Sequence, residues 1–223
     1  MILAARARDR ERMVERQLSG RDVRDERVLA AFRAVPREAF VPETLAARAY
    51  DDGPLPIDEG QTISQPYVVA LMIQALRVRP TDRVLEVGAG SGYAAAILSL
   101  LSDRVYAIER HARLAGPARA RLEGLGYDNV EIRVGDGTLG WPDEAPFDAI
   151  LVSAGGRQVP PVLLEELAPD GRLVIPVGGR FEQELLRIEK TAEGRLSTEG
   201  LGPVAFVPLV GASRQEHGTP GTR

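Results

Sequence analysis

The residues best placed to do chemistry lie in Val84-Leu85-Glu86-Val87-Gly88-Ala89-Gly90-Ser91-Gly92-Tyr93, an apolar run that ends in an acid and opens into a glycine-rich turn. Glycines let a backbone turn sharply and approach a ligand with no Cβ in the way. Charge then argues which ligand. A dinucleotide loop holds a pyrophosphate on backbone N–H groups at a helix N-terminus, and Glu86 would repel it. The same carboxylate suits a ligand that carries an ammonium and a sulfonium, and S-adenosylmethionine is such a ligand. The spacing also departs from G-x-G-x-x-G, because Gly92 follows Gly90 after one intervening residue rather than two. A tight βα turn with no ligand is the plainer alternative.

Two further acids favour the ligand. The run Arg104 to Ile108 ends at Glu109, about twenty residues beyond the glycine loop, where a carboxylate can bond ribose hydroxyls. Val130 to Val134 runs into Gly135-Asp136-Gly137, which places Asp136 at the same sheet edge, in position to meet an adenine amino group. Taken singly, each acid reads as a solvated turn residue. Three of them at successive strand ends read as a crevice for a nucleoside cofactor.

A fourth cluster lies upstream, in the long irregular segment from Tyr50 to Pro66. Loops of this length in compact domains are usually functional. Gln61, Thr62, Ser64 and Gln65 supply neutral hydrogen-bonding groups just before a helix N-terminus, a set that can hold a carboxylate. The plainer alternative is that Thr62 and Ser64 cap the helix that opens at Pro66.

The elements that must position these groups follow from periodicity. The chain reads as helical to about residue 50, then irregular to Gln65, then alternating strands and helices. Asp25 reads as the N-cap of a helix from Glu26 to Ala34. Pro66 opens a helix with an apolar stripe through Val68, Val69, Met72, Ile73 and Leu76 that stops near Pro80. Beyond the glycine loop come a helix from Tyr93, a strand over Phe147–Val152, a helix over Val162–Leu167 and a strand over Arg172–Val177. Further strands are expected at Glu184–Lys190 and Val204–Leu209. A polar tail, 211–223, is expected to be flexible.

Composition sets bounds. With 223 residues, 44% of them hydrophobic, the chain can bury a sizeable core. It has no cysteine, hence no disulfide framework or thiol nucleophile, and its two histidines make a metal site improbable. The net charge of −4 and the interleaved arginines and acids of the first helix read as a solvated, salt-bridged face rather than a nucleic-acid footprint. Lys190 is the only lysine. No run approaches the roughly eighteen apolar residues of a membrane span, and Met1 to Arg6 shows no signal-peptide core, so a cytoplasmic location is expected.

Several blocks resemble one family. Val35-Pro36-Arg37-Glu38-Ala39-Phe40-Val41-Pro42, Ala49 to Ile57 and Gly60-Gln61-Thr62-Ile63-Ser64-Gln65-Pro66-Tyr67 are similar to protein-L-isoaspartate (D-aspartate) O-methyltransferases. So are Leu85 to Tyr93, Ile108-Glu109-Arg110, Gly135-Asp136-Gly137, Gly140-Trp141-Pro142, Ala145 to Ile150, Val174 to Gly178 and Phe206-Val207-Pro208-Leu209. The glycine loop is shared with many methyltransferases, whereas the Gln-Thr-Ile-Ser-Gln-Pro block is particular to this family.

The resemblance implies a doubly wound, Rossmann-like α/β methyltransferase fold with an N-terminal helical extension and a seven-stranded sheet carrying one late antiparallel strand. It implies one domain over 1–210, with helices and substrate loop in 1–66 and the cofactor-binding core in 67–210. The implied reaction is methyl transfer from S-adenosylmethionine, leaving S-adenosylhomocysteine, to the α-carboxylate of an isoaspartyl residue in a damaged protein or peptide. Ser64 matches the family's active-site serine, and Ile57, Gln61, Thr62 and Ile63 would frame the substrate. Glu86, Gly88, Gly90, Ser91 and Gly92 would serve the methionine end of the cofactor, Glu109 and Arg110 the ribose, and Asp136 with Gly137 the adenine. A monomer is expected.

One stretch departs from the family. Where it commonly has Thr-Ala-Ala before prolines, this chain reads Ser153-Ala154-Gly155-Gly156-Arg157. Its glycines predict a less rigid loop, and Arg157 adds a charge near the crevice. Rival readings are an enzyme that esterifies ordinary aspartate in a dedicated peptide, an N-methyltransferase, and a catalytically silent S-adenosylmethionine-binding protein. The first would bring an extra C-terminal substrate domain. The second usually has an Asp/Asn-Pro-Pro-aromatic loop that Ser153–Gly156 does not supply. Binding without turnover would reveal the third.

Overall fold

Short apolar runs alternating with helices build the centre of the computed structural model, which describes residues 6–179 and 182–211. Strands β3 (Arg83–Val87), β4 (Arg104–Glu109), β5 (Val130–Val134), β6 (Phe147–Val152), β7 (Leu167–Gly178), β8 (Gln183–Lys190) and β9 (Leu196–Val204) form one sheet in the order β5-β4-β3-β6-β7-β8-β9. Strands β3 to β7 pair in parallel, and β8 runs antiparallel to both neighbours. Nearly every residue of β3, β4 and β6 is buried, as the continuous apolar runs require of strands covered on both faces. This is the Rossmann-like methyltransferase architecture, with its single late antiparallel strand.

Helix α1 (Ala7–Met13) continues through a wider turn, Val14–Ser19, and α2 (Glu26–Ala34) follows, its first turn capped by the Asp25 carboxylate accepting from the amides of Arg27 and Val28. Helix α3 (Pro66–Leu76) opens with its proline at the first position. Helix α4 (Tyr93–Ser99) leaves the glycine loop, α5 (Ala112–Gly124) joins β4 to β5, and α6 (Pro161–Glu165) precedes β7. Val14, Leu18, Leu29, Phe32, Met72 and Ile73 bury against Tyr93, Ala96 and Ile97 in one apolar cluster, so the N-terminal helices pack on the sheet through α3 and α4. Tyr93 sits edge-on to Phe32 and Phe40, which fixes the start of α4 directly behind the glycine loop.

Four expectations need correcting. Regular helix ends at Ala34, and residues 37–48 make only tight 3₁₀ turns, Arg37–Phe40 and Glu43–Arg48, because Pro36 and Pro42 interrupt the ladder. The segment read as irregular contains a small hairpin, β1 (Leu55–Pro56) against β2 (Thr62–Ile63). The last strand is Leu196–Val204 rather than Val204–Leu209, and α6 stops at Glu165 so that β7 begins at Leu167. The expected flexible tail lies, beyond Gly211, outside the described residues.

Candidate functional site

The parallel strands bring their C-terminal ends to one edge, where β3 and β6 diverge and open sheets bind their ligands. Gly88, Gly90 and Gly92 take φ of 92°, 54° and 87°, the left-handed region that only glycine occupies freely. At Gly92 a Cβ would also press on Leu122 of α5. The loop is tied from several sides. The amides of Gly88 and Ala89 donate to the Ile108 carbonyl at 2.8 and 3.1 Å, and Arg121 donates to the Ser91 carbonyl at 2.9 Å. Glu109, buried at the end of β4, accepts the Gly90 amide through one oxygen and the His111 amide through the other.

A crevice of about 70 Å³ is lined by Gln61, Thr62, Gly88, Gly90, Glu109, Arg110 and Gly137, all expected from sequence, together with Ser153, His111 and the segment Val207–Val210. A second groove of about 450 Å³ lies beside it, lined by Thr62, Ser64, Gln65, Val68, Pro54, Ser153 and Pro203–Val207. Thr62, Ser153 and Val207 border both, so the two spaces meet. Among the described residues, no charged side chain lines the second groove. Ser64 makes no described cap: α3 starts at Pro66 after Gln65 as N-cap, with no side-chain cap hydrogen bond. Its hydroxyl is not spent on the helix, contrary to the plainer alternative.

The remaining expected residues sit elsewhere. Ile57 and Ser91, with Gly90, border a cleft on the other side of the glycine loop, toward Phe40 and Arg121. Ile63 is buried in the apolar cluster, and Gly92 faces α5. Asp136 caps the turn Gly137–Leu139, its carboxylate accepting from the Thr138 amide at 2.9 Å and the Thr138 hydroxyl at 2.7 Å. Glu86 lies beneath the loop, 1% exposed, with Oε2 buried and unpaired. Burial above all, and then the charge of Glu109, push its carboxyl well above the usual range, while the Ala95 amide and the Ser153 hydroxyl pull it back.

Residues 207–210, the first three of which were expected in a strand over Val204–Leu209, instead line the crevice. The Val207 carbonyl accepts the Gly155 amide, and the Leu209 amide donates to the Gly155 carbonyl, both at 2.8 Å. Gly156 is bonded on its other side to Pro176 and Gly178. The Ser153–Gly156 loop, expected to be less rigid, is therefore held between two strands of backbone. Arg157 is exposed and lines neither space.

The turn between β1 and β2 docks at the start of α5, where Glu59 in a left-handed conformation (φ 58°) places its carboxylate 3.6 Å from His111 Nδ1 and 3.7 Å from Arg113. The donor set fits S-adenosylmethionine: a close backbone approach at Gly88 and Gly90, a strand-end acid, and a buried carboxylate oxygen without a partner beneath the loop. Small-molecule sites enclose about 300–1,000 Å³. The groove falls in that range, and the crevice opens onto it through Thr62, Ser153 and Val207.

Comparison with known proteins agrees with this geometry. Residues 8–214 match the family model described as protein-L-isoaspartate(D-aspartate) O-methyltransferase. The chain is 61% identical over 205 residues to the protein-L-isoaspartate O-methyltransferase of Methylorubrum extorquens (strain PA1), covering 92% of this chain and 90% of that one. It is 56% identical over 211 residues to protein-L-isoaspartate O-methyltransferase 1 of Syntrophobacter fumaroxidans, covering 95% and 97%. Among solved structures, a protein-L-isoaspartate O-methyltransferase superposes with a TM-score of 0.80 at 29% identity, over 91% of this chain and 66% of that one. A Plasmodium falciparum protein solved with S-adenosyl-L-homocysteine superposes with a TM-score of 0.78 at 27% identity, over 90% and 98%.

Proposed function

The chain belongs to the protein-L-isoaspartate(D-aspartate) O-methyltransferase family, and from that premise we propose how its own residues carry the family's reaction. It is an S-adenosylmethionine-dependent enzyme that methylates the α-carboxylate of L-isoaspartyl residues in damaged proteins and peptides. The ester then collapses to a succinimide, which partly reopens as ordinary aspartate.

The observation that carries the residue assignment is the junction at Thr62 and Ser153, where a neutral groove holding Ser64 opens onto the crevice that follows the glycine loop. A carboxylate is already ionised at neutral pH, so it needs no general base to act as a nucleophile. The protein's task is placement. In this reading Ser64 donates to the substrate carboxylate, and Gln61 and Thr62 border its path to the crevice. When bound, S-adenosylmethionine supplies the electrophilic methyl. Gly88 and Gly90 give its methionine end a close backbone approach, Glu86 offers a carboxylate beneath the ammonium, Glu109 and Arg110 face the ribose, and Gly137 the adenine. The groove suits an extended peptide rather than nucleic acid, since among the described residues its lining offers no cation for phosphates. No described helix is long and apolar enough to cross a membrane. The monomeric, cytoplasmic enzyme remains our reading from the sequence.

The test is to incubate the purified protein with labelled S-adenosylmethionine and two peptides that differ only in Asp or isoAsp, and to count base-labile methyl ester. Ester on the isoAsp peptide alone is expected. Ester chiefly on the Asp peptide would turn the reading toward modification of a dedicated peptide, and ester on neither would leave a silent binder.

A further inference from the structure

We propose that Gln183 is a positioning residue for both ligands: its side-chain amide fixes the backbone of Phe206, and through it the segment that separates the cofactor crevice from the peptide groove. The names of the two ligands rest on the function proposed above. The clamp itself rests on geometry.

Gln183 is the first residue of β8 and is 6% exposed. Its Nε2 donates to the Phe206 carbonyl at 3.1 Å and its Oε1 accepts from the Phe206 amide at 2.8 Å. Phe206 has left β9, which ends at Val204, and the glutamine supplies the pair of bonds that a neighbouring strand would supply. Only one orientation of the amide satisfies both. Asparagine is too short to reach, glutamate cannot donate to the carbonyl, and methionine can do neither.

The clamp acts at the junction of three segments. One residue beyond Phe206, the Val207 carbonyl accepts the Gly155 amide, and Leu209 returns a bond to Gly155. A methyl group at position 155 would overlap the Gln183 amide, so the glycine after β6 makes room for the clamp. Phe206 lines the groove, Pro208 and Leu209 line the crevice, and Val207 lines both. A tilt of the Phe206 peptide therefore moves both walls, and neither ligand touches the glutamine that holds them.

The test uses the full chain with Gln183→Met, Gln183→Ala, Gly155→Ala and the Gln183→Ala/Gly155→Ala pair, reading melting temperature, S-adenosylhomocysteine affinity by calorimetry, and KM and kcat on an isoAsp peptide. Gln183→Met is expected to weaken S-adenosylhomocysteine and raise the peptide KM by about tenfold each, which corresponds to about 1.4 kcal/mol, with kcat changed less. Gly155→Ala is expected to show the same split with the glutamine present and little further effect once Gln183 is alanine, because the overlap is then gone. A lower melting temperature with wild-type affinity and KM would make Gln183 merely structural and overturn the proposal. Additive losses in the pair would overturn it too. If Gln183→Met does not fold, Gly155→Ala carries the same reading. A wild-type protein that binds S-adenosylhomocysteine but esterifies neither peptide would sink the proposed function, and the clamp would still be judged on cofactor affinity.

Discussion

Glu109 accepts the Gly90 amide at 2.9 Å and the His111 amide at 2.8 Å, one through each carboxylate oxygen, so the acid at the end of β4 holds the glycine loop as well as facing the crevice. Glutamine at 109 has one acceptor oxygen and would turn its amide against one of the two N–H donors. Glu109→Gln is therefore expected to lose both cofactor affinity and stability. Hydrogen bonds to charged groups contribute about 1.5–3 kcal/mol. S-adenosylhomocysteine binding should fall by at least tenfold in calorimetry, with a lower melting temperature. An unchanged melting temperature would show that the loop holds its shape without Glu109.

Glu86 sets stability against binding. Its folded-state carboxyl titrates above its unfolded value, chiefly because it is buried. The folded state thus binds the proton more tightly, and its contribution to stability is fully present below the unfolded pKa and lost as pH rises through the folded one. Above the unfolded pKa the group therefore weighs against folding of the ligand-free protein. Glu86→Gln should melt higher than wild type at pH 7, with a shallower fall of stability above the acid range, and should bind S-adenosylhomocysteine about tenfold more weakly because the ammonium loses its counter-charge. Denaturation followed across pH, beside calorimetry, checks both halves. Tighter binding by the variant would remove Glu86 from the cofactor site.

Ser64→Ala separates function from folding. The hydroxyl lines the groove and caps no helix, so its loss leaves no backbone donor unsatisfied. The melting temperature should stay within experimental error of wild type. Losing one hydrogen bond to a carboxylate, about 1.5–3 kcal/mol, should lower kcat/KM on an isoAsp peptide by roughly tenfold to a hundredfold. A variant with wild-type kcat/KM would end the serine's assigned role.

How far the sequence could be read depends on which residues carry their own signal. Glu86, Glu109 and Asp136 end apolar runs, and a parallel sheet brings such ends to one edge whatever the packing, so the crevice was legible. Phe206-Val207-Pro208-Leu209 has the composition of a strand, and only its bonds to Gln183 and Gly155 reveal that it lies along the site instead. The true last strand, Leu196–Val204, was hidden by Ser197, Thr198, Glu199, Gly200 and Gly202, because an exposed edge strand needs no apolar alternation. A single glutamine at a strand start has no pattern. Asp136 also caps the turn that follows it, which its position at the sheet edge did not announce.

Gly137 borders the crevice, and a methyl there would overlap the side chain of Val87, which ends β3 and lines the same crevice. Its φ is not in the left-handed region, so alanine brings overlap rather than backbone strain. Overpacking of this kind costs about 1–3 kcal/mol, and for a chain of this size each kcal/mol lowers the melting temperature by roughly 2–4 °C. Gly137→Ala should therefore melt several degrees below wild type. Val87→Ala alone should also destabilise, by the cavity it leaves. In the double variant the new methyl enters that cavity, so the two losses should fall short of their sum by more than the roughly 0.5 kcal/mol expected of independent sites. Additive losses would show that Val87 does not set the demand for glycine.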